Sequence, residues 1–533
     1  MNIAIIFYRT LSSQSAASLS AGYIAANLKR IGYNAKLFLL KKEEDYNDIK
    51  PIISDTVWDI IFYKPNFKDY DRIEKNLENI KKHYPKAKVI LFGPLAYINQ
   101  QKFINKFSEI EGIMCPDAEV NWNSYSDILT SLIKENYVPN MQNNNIYVCS
   151  PSRDIEIAED LKIANIEASR WCRRQCAFCH VGLISKLAHK KIWIRTPEEV
   201  VDEIIELKKI NKKYFIFNDP VLCGGGENTK KWINKFHELI KNNSDIFFMA
   251  YLTLNDIKDK SFIRYLENAN FIRVFVGIES AQKETLHLFN KGIDVNNYFE
   301  IKKTLKKHNI IPHIGFMVFH PYVTVEEIKT NLFYLHKNDE LHRFGVVFEP
   351  TRIIYNTPLY NKALKDNLLD LSDDIKISYS FYNKDVQEIF NRFRKIFGEI
   401  DVPLFERIEH LFVTSEFIDN MVKKVYSPSK EYKNSYQNIK RYRKKYSSDF
   451  LKLSLDIIEN IHIDTSKERK KFFKFWQKLE NVWADFIFIT KKLGFSNPLE
   501  WIASGNCNPE PIKDENYTGK CLETRSGRIR VEC

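Results

Sequence analysis

"RWCRRQCAFCH" at residues 170–180 sets three cysteines, Cys172, Cys176 and Cys179, at C-x3-C-x2-C spacing, with His180 directly after the last. A structural zinc site takes four closed ligands, usually as two cysteine pairs, and this loop offers three thiols and a neighbouring histidine. An iron-sulfur cube is also held by thiolates, and when only three irons receive cysteine the fourth stays open to another ligand. Zinc would make the loop a structural knot in a binding protein. An open iron would make it a reaction centre.

The sequence around the loop reads as strands alternating with helices. Residues 163–168 form a candidate strand leading straight into the cysteines. "TPEEVVDEIIELKKIN" from 196 opens with a capping box, Thr196 answered by Glu199, with Pro197 at the first helical position. Strands are expected at 214–219, 246–252, 271–278, 311–318 and 345–350, each separated by a helical segment. Six strand-helix units in succession imply an incomplete parallel barrel, a partial (β/α)6 TIM-like fold.

Upstream, a second series alternates in the same way, with strands at 2–8, 35–40, 58–63 and 89–92 and a helix at 18–30 ended by Gly32. An open parallel α/β sheet of Rossmann-like type follows, with ligands expected at the carboxyl ends of its strands: residues 8–15, 63–68 and 93–97. The polar stretch "VPNMQNNN" at 138–145 marks a boundary. From about 376 the chain is charged, aromatic-rich and mostly helical by period. Three parts are therefore expected: an α/β domain at 1–140, a barrel at 150–375 and a helical domain with a cysteine-containing tail at 376–533.

A chain of 533 residues with 44% hydrophobic composition can bury more than one core. Nine cysteines are too sparse for a disulfide scaffold, and "MNIAIIFYRTLSSQS" carries neither a long apolar core nor a small-residue cleavage site. No apolar run approaches the roughly 18–20 residues of a membrane helix. A cytoplasmic protein without membrane contact is expected. The formal charge of +12 is uneven, with nine basic residues and one acidic between 423 and 445 and tyrosines at 426, 432, 436, 442 and 446. That pattern is either a solvated helix face or a surface for phosphate and bases.

The three-cysteine spacing with Phe178 before the last cysteine resembles the signature of the radical S-adenosylmethionine (radical SAM) enzymes, which keep it after the first barrel strand. Further segments resemble that family in order: "FIFNDPVL" (215–222), "VFVGIESAQKETLHLFNKG" (274–292), "HIGFMVFHPYVTVEEI" (313–328) and "IIYNTPLY" (353–360). Upstream, "SAGYIAANLKRIGYNAKLFLL" (20–40), "KVILFGPLAY" (88–97) and "GIMCPDAE" (112–119) are similar to the cobalamin-binding domain of one subgroup. The resemblance covers residues 1 to about 370.

It implies a 4Fe-4S cluster on Cys172, Cys176 and Cys179, whose open iron chelates S-adenosyl-L-methionine and yields a 5′-deoxyadenosyl radical. Phe178 would pack near the adenine, Asp219 would stand near the SAM amino group, and Glu279 and Ser280 would face its ribose or methionine. Gly93 and Pro94, in the family's GGP turn written here as FGP, would border a cobalamin. The pattern is not followed throughout: His320 and Tyr322 replace small residues in the loop after the fifth strand. "GGGE" at 224–227 falls too late after its strand to be the family's SAM-binding GGE and reads as a glycine turn. Only His83 stands in the first 150 residues, so a histidine ligand below cobalamin is not expected.

The leading reading is cobalamin-dependent methylation of an unactivated carbon in a small metabolite or ribosomal peptide, with electrons from an external flavodoxin- or ferredoxin-type donor. A radical SAM rearrangement or cross-linking enzyme without cobalamin turnover is the second. An RNA-modifying radical SAM enzyme is the third, disfavoured as a nucleic-acid partner because its relatives carry three more cluster cysteines in a domain that here has only Cys115. A non-enzymatic zinc-stabilised binding protein is the fourth. Cys507, Cys521 and Cys533 match no auxiliary-cluster spacing.

Overall fold

The computed structural model describes residues 1–8, 18–40, 53, 56–65, 70–114, 150–158, 162–187, 192–373 and 377–493, and the backbone of a hairpin at 522–524 and 527–529. The boundary stretch at 138–145 and Cys115, Cys149, Cys507, Cys521 and Cys533 fall outside these residues.

The first sheet holds β1 (Asn2–Tyr8), β2 (Asn34–Leu40), β3 (Ile60–Tyr63), β4 (Lys88–Leu91) and β5 (Gly112–Ile113), in the order β2-β1-β3-β4-β5. The pairings β1–β2, β1–β3, β3–β4 and β4–β5 are all parallel. Helix α1 (Leu19–Arg30) covers one face; α2 (Tyr70–His83) follows β3, and the short α3 (Pro94–Ile98) follows β4. Ser18 caps α1 by accepting from the Ala21 amide. The strands are buried on both faces, one apolar cluster centred on Ile6, Ile61 and Leu77 and the other on Ile5, Phe62 and Ile24, as a covered parallel sheet requires. The strand order reverses between β1 and β3, with β2 added on one side of β1 and β3 on the other, so a crevice opens at their carboxyl ends.

The second sheet is also parallel and runs in sequence order across β6 (Ile163–Ile166), β7 (Tyr214–Phe217), β8 (Phe247–Leu252), β9 (Phe271–Glu279) and β10 (Ile311–Phe316). The intervening helices include α4 (His180–Leu187), α5 (Pro197–Lys209), α6 (Gly226–Ile240), α7 (Lys260–Asn268), α8 (Tyr298–Lys307) and, after β10, α9 (Val325–Lys337). The capping box at α5 forms as read, Thr196 and Glu199 each bonding the other's backbone amide.

The sixth strand expected at 345–350 does not form. Phe344–Phe348 is a short helix, and only a single parallel bridge between Phe319 and Pro350 stands where a strand would pair. Phe344 and Phe348 are four residues apart and stack on one helix face at 4.8 Å, and both rings pack on Phe397. Tertiary packing of this aromatic pair overrides the β propensity of "FGVVF".

The remainder is helical as expected: α10 (Lys384–Ile400), α11 (Val402–Val425), α12 (Lys430–Ile458) and α13 (Thr465–Lys492). One continuous set of buried apolar side chains runs from Ala164 in the barrel to Ile487 in α13, so these helices share the barrel's core. Helix α11 closes the amino end of the barrel, where Phe417 and Met421 join Ile163, Ile216, Met249 and Ile311. No helix among the described residues is long and apolar enough to cross a membrane.

Candidate functional site

The cysteine loop is fixed mainly through its backbone. Trp171 enters it with φ +75°, a left-handed conformation rare for a bulky residue, and its ring is buried against Ile98 and Ile184. The Cys172 amide donates to Ser185 Oγ (3.2 Å), the Ala177 amide to the Phe289 carbonyl (2.9 Å) and the Cys179 amide to the Cys176 carbonyl (3.1 Å). Ala177 also accepts from the Leu359 amide (2.9 Å), and Asn290 Nδ2 donates to the Gln175 carbonyl (2.9 Å). Gly182 is needed where α4 begins, because a Cβ there would stand 2.8 Å from the Arg174 carbonyl oxygen. Three separate segments therefore hold one thiol-bearing turn.

The three thiols lie near enough to feel one another's charge. Burial pushes the Cys172 thiol up, with the Cys179 sulfur acting the same way. Burial likewise pushes Cys176 up, while Lys291 pulls it down. Burial holds the neighbouring His180 at about 4, so its ring is neutral. The cation that acts on Cys176 is Lys291. Burial would lower its pKa, but Glu279 and Cys176 outweigh that and hold it above the ordinary value.

Glu279 ends β9 with φ +68° beside an irregularity in the pairing with β10, and its Oε1 is 2.8 Å from Lys291 Nζ. A Cβ on Gly277 would collide with this carboxylate and with Lys291, and one on Gly315 would meet the Phe275 ring. The two facing glycines of β9 and β10 thus leave room for the ion pair at the cysteine end of the barrel. Below them, Tyr251, Phe275 and His313 form a row across β8, β9 and β10, with ring centroids 5.0 and 5.3 Å apart.

Other residues singled out in the sequence face inward toward the chain itself. Asp219 is fully buried, with one oxygen accepting from the Ala168 amide (3.0 Å) and the other from Ser169 Oγ (2.5 Å). Burial pushes its carboxyl up to about 7 against both hydrogen bonds. Ser280 donates to Glu327 Oε1 (2.9 Å) and accepts from the Gln282 amide, which ties the end of β9 to α9. His320 stands 3.3 Å from the same Glu327 oxygen, and its ring packs on Phe289. Phe178 meets Phe289 edge-on at 5.2 Å with Lys291 Nζ 5.9 Å from its centroid. Arg195 is buried and pairs with Glu203 at 2.6 Å, which also binds Arg153. "GGGE" is a turn into α6, with Gly224, Gly225 and Gly226 all at positive φ and the Gly226 amide donating to Asp256 (2.7 Å).

In the first sheet, Gly93 follows β4 with φ +90°, and a Cβ there would stand 3.2 Å from the Lys64 side chain. Lys64 Nζ in turn reaches Ser18 Oγ (2.9 Å), so the carboxyl ends of β3 and β4 and the start of α1 meet at one point. Pro94 opens α3, and Tyr97 and Ile98 of this helix pack on Trp171, Leu183 and Ile184. Lys102 Nζ stands over the Tyr355 ring at 4.4 Å. The carboxyl edge of the first sheet therefore abuts the cysteine loop of the second. His83 ends α2, which runs back to the amino edge, so it is remote from Gly93.

The donor set suits a cluster better than one ion. Among the described residues, no three His, Cys, Asp or Glu converge on a common metal position. A cube asks for less convergence, because each thiolate meets a different iron. The nearby carboxylate, Glu279, is already matched by Lys291. The tyrosines of the basic segment are a correction: Tyr432, Tyr436 and Tyr446 are buried between α12 and α13 against Phe475 and Phe486, so they offer no stacking platform for bases. Lys291, Gly182 and the Trp171 backbone were missed in the sequence. Lys291 stood within the quoted "LFNKG", but nothing in its spacing tells that it folds back onto Glu279.

Residues 166–335 match the family description "Radical SAM superfamily". The chain is 27% identical over 220 residues to the bacteriochlorophyllide d C-8(2)-methyltransferase of Chlorobaculum tepidum, covering 39% of this chain and 46% of that one. It is 26% identical over 170 residues to the anaerobic magnesium-protoporphyrin IX monomethyl ester cyclase of Cereibacter sphaeroides, covering 30% of this chain and 25% of that one. The chain thus spans less than half the length of these curated relatives. Among solved structures, the cobalamin-dependent S-adenosylmethionine radical enzyme OxsB with aqua-cobalamin and S-adenosylmethionine bound superposes with TM-score 0.63 and 15% identity, over 96% of this chain and 84% of that one. The radical S-adenosylmethionine methyltransferase TsrM from Kitasatospora setae, with cobalamin and a 4Fe-4S cluster bound, gives 0.53 and 12% over 69% and 78%. The superfamily match spans the three-cysteine loop and the parallel strands that follow it, so residues 166–335 are a radical SAM domain, and the chain shares the two-sheet fold of the cobalamin-dependent S-adenosylmethionine radical enzyme OxsB.

Proposed function

We propose that this protein is a cobalamin-dependent radical SAM enzyme that methylates an unactivated carbon of a small-molecule or peptide substrate. The observation that carries the reading is the abutment of two carboxyl edges, one bearing Cys172, Cys176 and Cys179 and the other Gly93 and Lys64. Relatives named as methyltransferases support it, as does TsrM, whose structure holds a tryptophan substrate. We take the three parts as 1–140, 150–375 and 376–533.

When bound, the 4Fe-4S cluster with SAM supplies a 5′-deoxyadenosyl radical, and cobalamin supplies the methyl group. Each residue then has a part. Cys172, Cys176 and Cys179 hold the cluster, and Phe178, braced by Phe289, borders the adenine. Glu279 offers the SAM side a carboxylate that Lys291 keeps in place. Asp219 and Ser280, whose side-chain oxygens are engaged by the chain, act as positioning residues: Asp219 holds the entry to the cysteine loop and Ser280 the end of β9. Gly93 and Pro94 border cobalamin, where a side chain on Gly93 would crowd Lys64. The tight packing of Trp171, Ile98 and Ile184 excludes water from one side of the space between the sheets. The electron comes from an external flavodoxin- or ferredoxin-type donor.

The relative named as a cyclase favours a second reading, rearrangement or ring closure without methyl transfer. Product analysis separates the two. Methylation consumes two SAM molecules and leaves S-adenosylhomocysteine beside 5′-deoxyadenosine. The reconstituted protein, supplied with SAM, cobalamin, reductant and an extract of candidate substrates, should form both. Formation of 5′-deoxyadenosine alone would replace methylation with the second reading.

A further inference from the structure

The interior of the barrel is built in layers, because the inward side chains of neighbouring parallel strands fall level with one another. At the floor, Ile216 of β7, Met249 of β8 and Ile311 of β10 are buried together with Ile163, and Phe417 and Met421 of α11 plug them from below. Two residues further along each strand, toward the cysteines, the close filling stops. Tyr251 stands in register with Phe275, and Phe275 with His313. The register between β7 and β8, carried on by two residues, brings Asn218 to the same level. Tyr251 is 38% exposed and Asn218 is exposed, although both strands have a neighbour on either side, and Phe275 and His313 are half-buried. The barrel is therefore a cup, closed below and open at the ring layer.

The layer above the rings is bare on β9 and β10, where Gly277 faces Gly315. A Cβ on Gly315 would stand 2.8 Å from the Phe275 ring and 3.4 Å from Glu279 Oε2. The ring row thus looks toward the Glu279 carboxylate with no side chain of these two glycines between them. The polar groups at this level are few. Arg273 donates to His313 Nδ1, and burial together with the Arg273 charge keeps the imidazole neutral, so its own hydrogen is on Nε2. Among the described residues, no hydrogen bond reaches His313 Nε2 or the side-chain amide of Asn218. Aromatic walls, an apolar floor and a few placed polar groups are the form of a small-molecule site.

We propose that the substrate carries a planar aromatic ring, which lies against Tyr251 and Phe275 and presents an acceptor atom to His313 Nε2. The proposal rests on the reading of the cysteine end as the reacting side, and it names the class of substrate that this side takes. Aromatic rings gain from each other's faces and edges beyond the area they bury, a gain that a saturated ring of the same size does not share. Tyr251, Phe275 and His313 are in this account the residues that set substrate choice.

The test is calorimetric titration of the full chain, purified anaerobically and supplied with SAM but no reductant. The probes are quinolin-2-one and its saturated counterpart octahydroquinolin-2-one, which keeps the lactam carbonyl and loses the aromatic plane. The planar lactam should bind at least about tenfold more tightly than the saturated one, and Tyr251→Leu should remove most of that difference. Crystals of the unaltered chain soaked with 6-bromoquinolin-2-one should show an anomalous bromine peak in the barrel, with the ring on Tyr251 and the carbonyl within hydrogen-bond distance of His313 Nε2. Should the substituted chain fail to fold, the soaked crystal decides alone. Because no radical forms without reductant, a failure of methyl transfer would leave this binding unchanged. Equal affinity for the two lactams, unaltered discrimination in Tyr251→Leu, or bromine only outside the barrel would overturn the proposal.

Discussion

The two parallel sheets present their carboxyl ends to each other, yet they are built to different degrees of fixity. At the barrel end, Cys172, Ala177 and Cys179 are each held by a backbone amide bond, and the Glu279–Lys291 pair is set over two glycines. At the end of the first sheet, the described contacts are a positive-φ glycine, the Lys64–Ser18 bond and apolar packing through α3. The difference teaches where electrostatics is set in advance. The barrel edge carries a buried ion pair beside its thiols, whereas the described end of the first sheet is set by backbone conformation, one lysine–serine bond and apolar packing.

Substitutions on the two edges should therefore differ in kind. The largest effect belongs to Cys176→Ala, which should abolish both bound iron and 5′-deoxyadenosine while leaving the secondary structure seen by circular dichroism intact. Glu279→Gln should come next, because Lys291 would be left buried without its carboxylate. Breaking a buried pair costs about 3–5 kcal/mol, read as a lowered urea midpoint, and Glu279→Gln with Lys291→Met should recover most of it.

Asp219 gives a pH signature. Its folded carboxyl sits at about 7, above the ordinary value of 3.8. Between those values the folded chain keeps a proton that the unfolded chain has lost, so stability falls as pH rises through this window and levels above it. In the metal-free chain, Asp219→Asn should flatten that part of the profile measured by thermal unfolding. Across on the first sheet, Gly93→Ala should cost about 1–3 kcal/mol from its backbone conformation, and bound cobalt should fall while iron does not. The smallest effect is expected at Lys444 and Lys445 on the exposed side of α12. Alanine at both should change stability by no more than about 0.5 kcal/mol and leave 5′-deoxyadenosine formation unchanged.

Much of this was legible in residue order. The strands at 2–8 and 271–279, the capping box at Thr196 and the glycine turn at 224–226 follow from local rules of period, capping and backbone freedom. The thiol spacing identified its loop without help from tertiary structure. What escaped depends on long-range packing. Phe344 and Phe348 look like strand residues until the aromatic side chains of α10 and α11 are placed against them. The tyrosines of α12 look like a nucleic-acid surface until α13 covers them. Lys291 looks like a surface lysine until β9 brings Glu279 beside it.

The most direct measurement is metal content of the anaerobically purified full chain, joined to electron paramagnetic resonance of the reduced protein with and without SAM. The account predicts about four irons per chain, no stoichiometric zinc, and a spectrum that shifts when SAM reaches the open iron. One zinc per chain with no iron, or an iron signal indifferent to SAM, would contradict it.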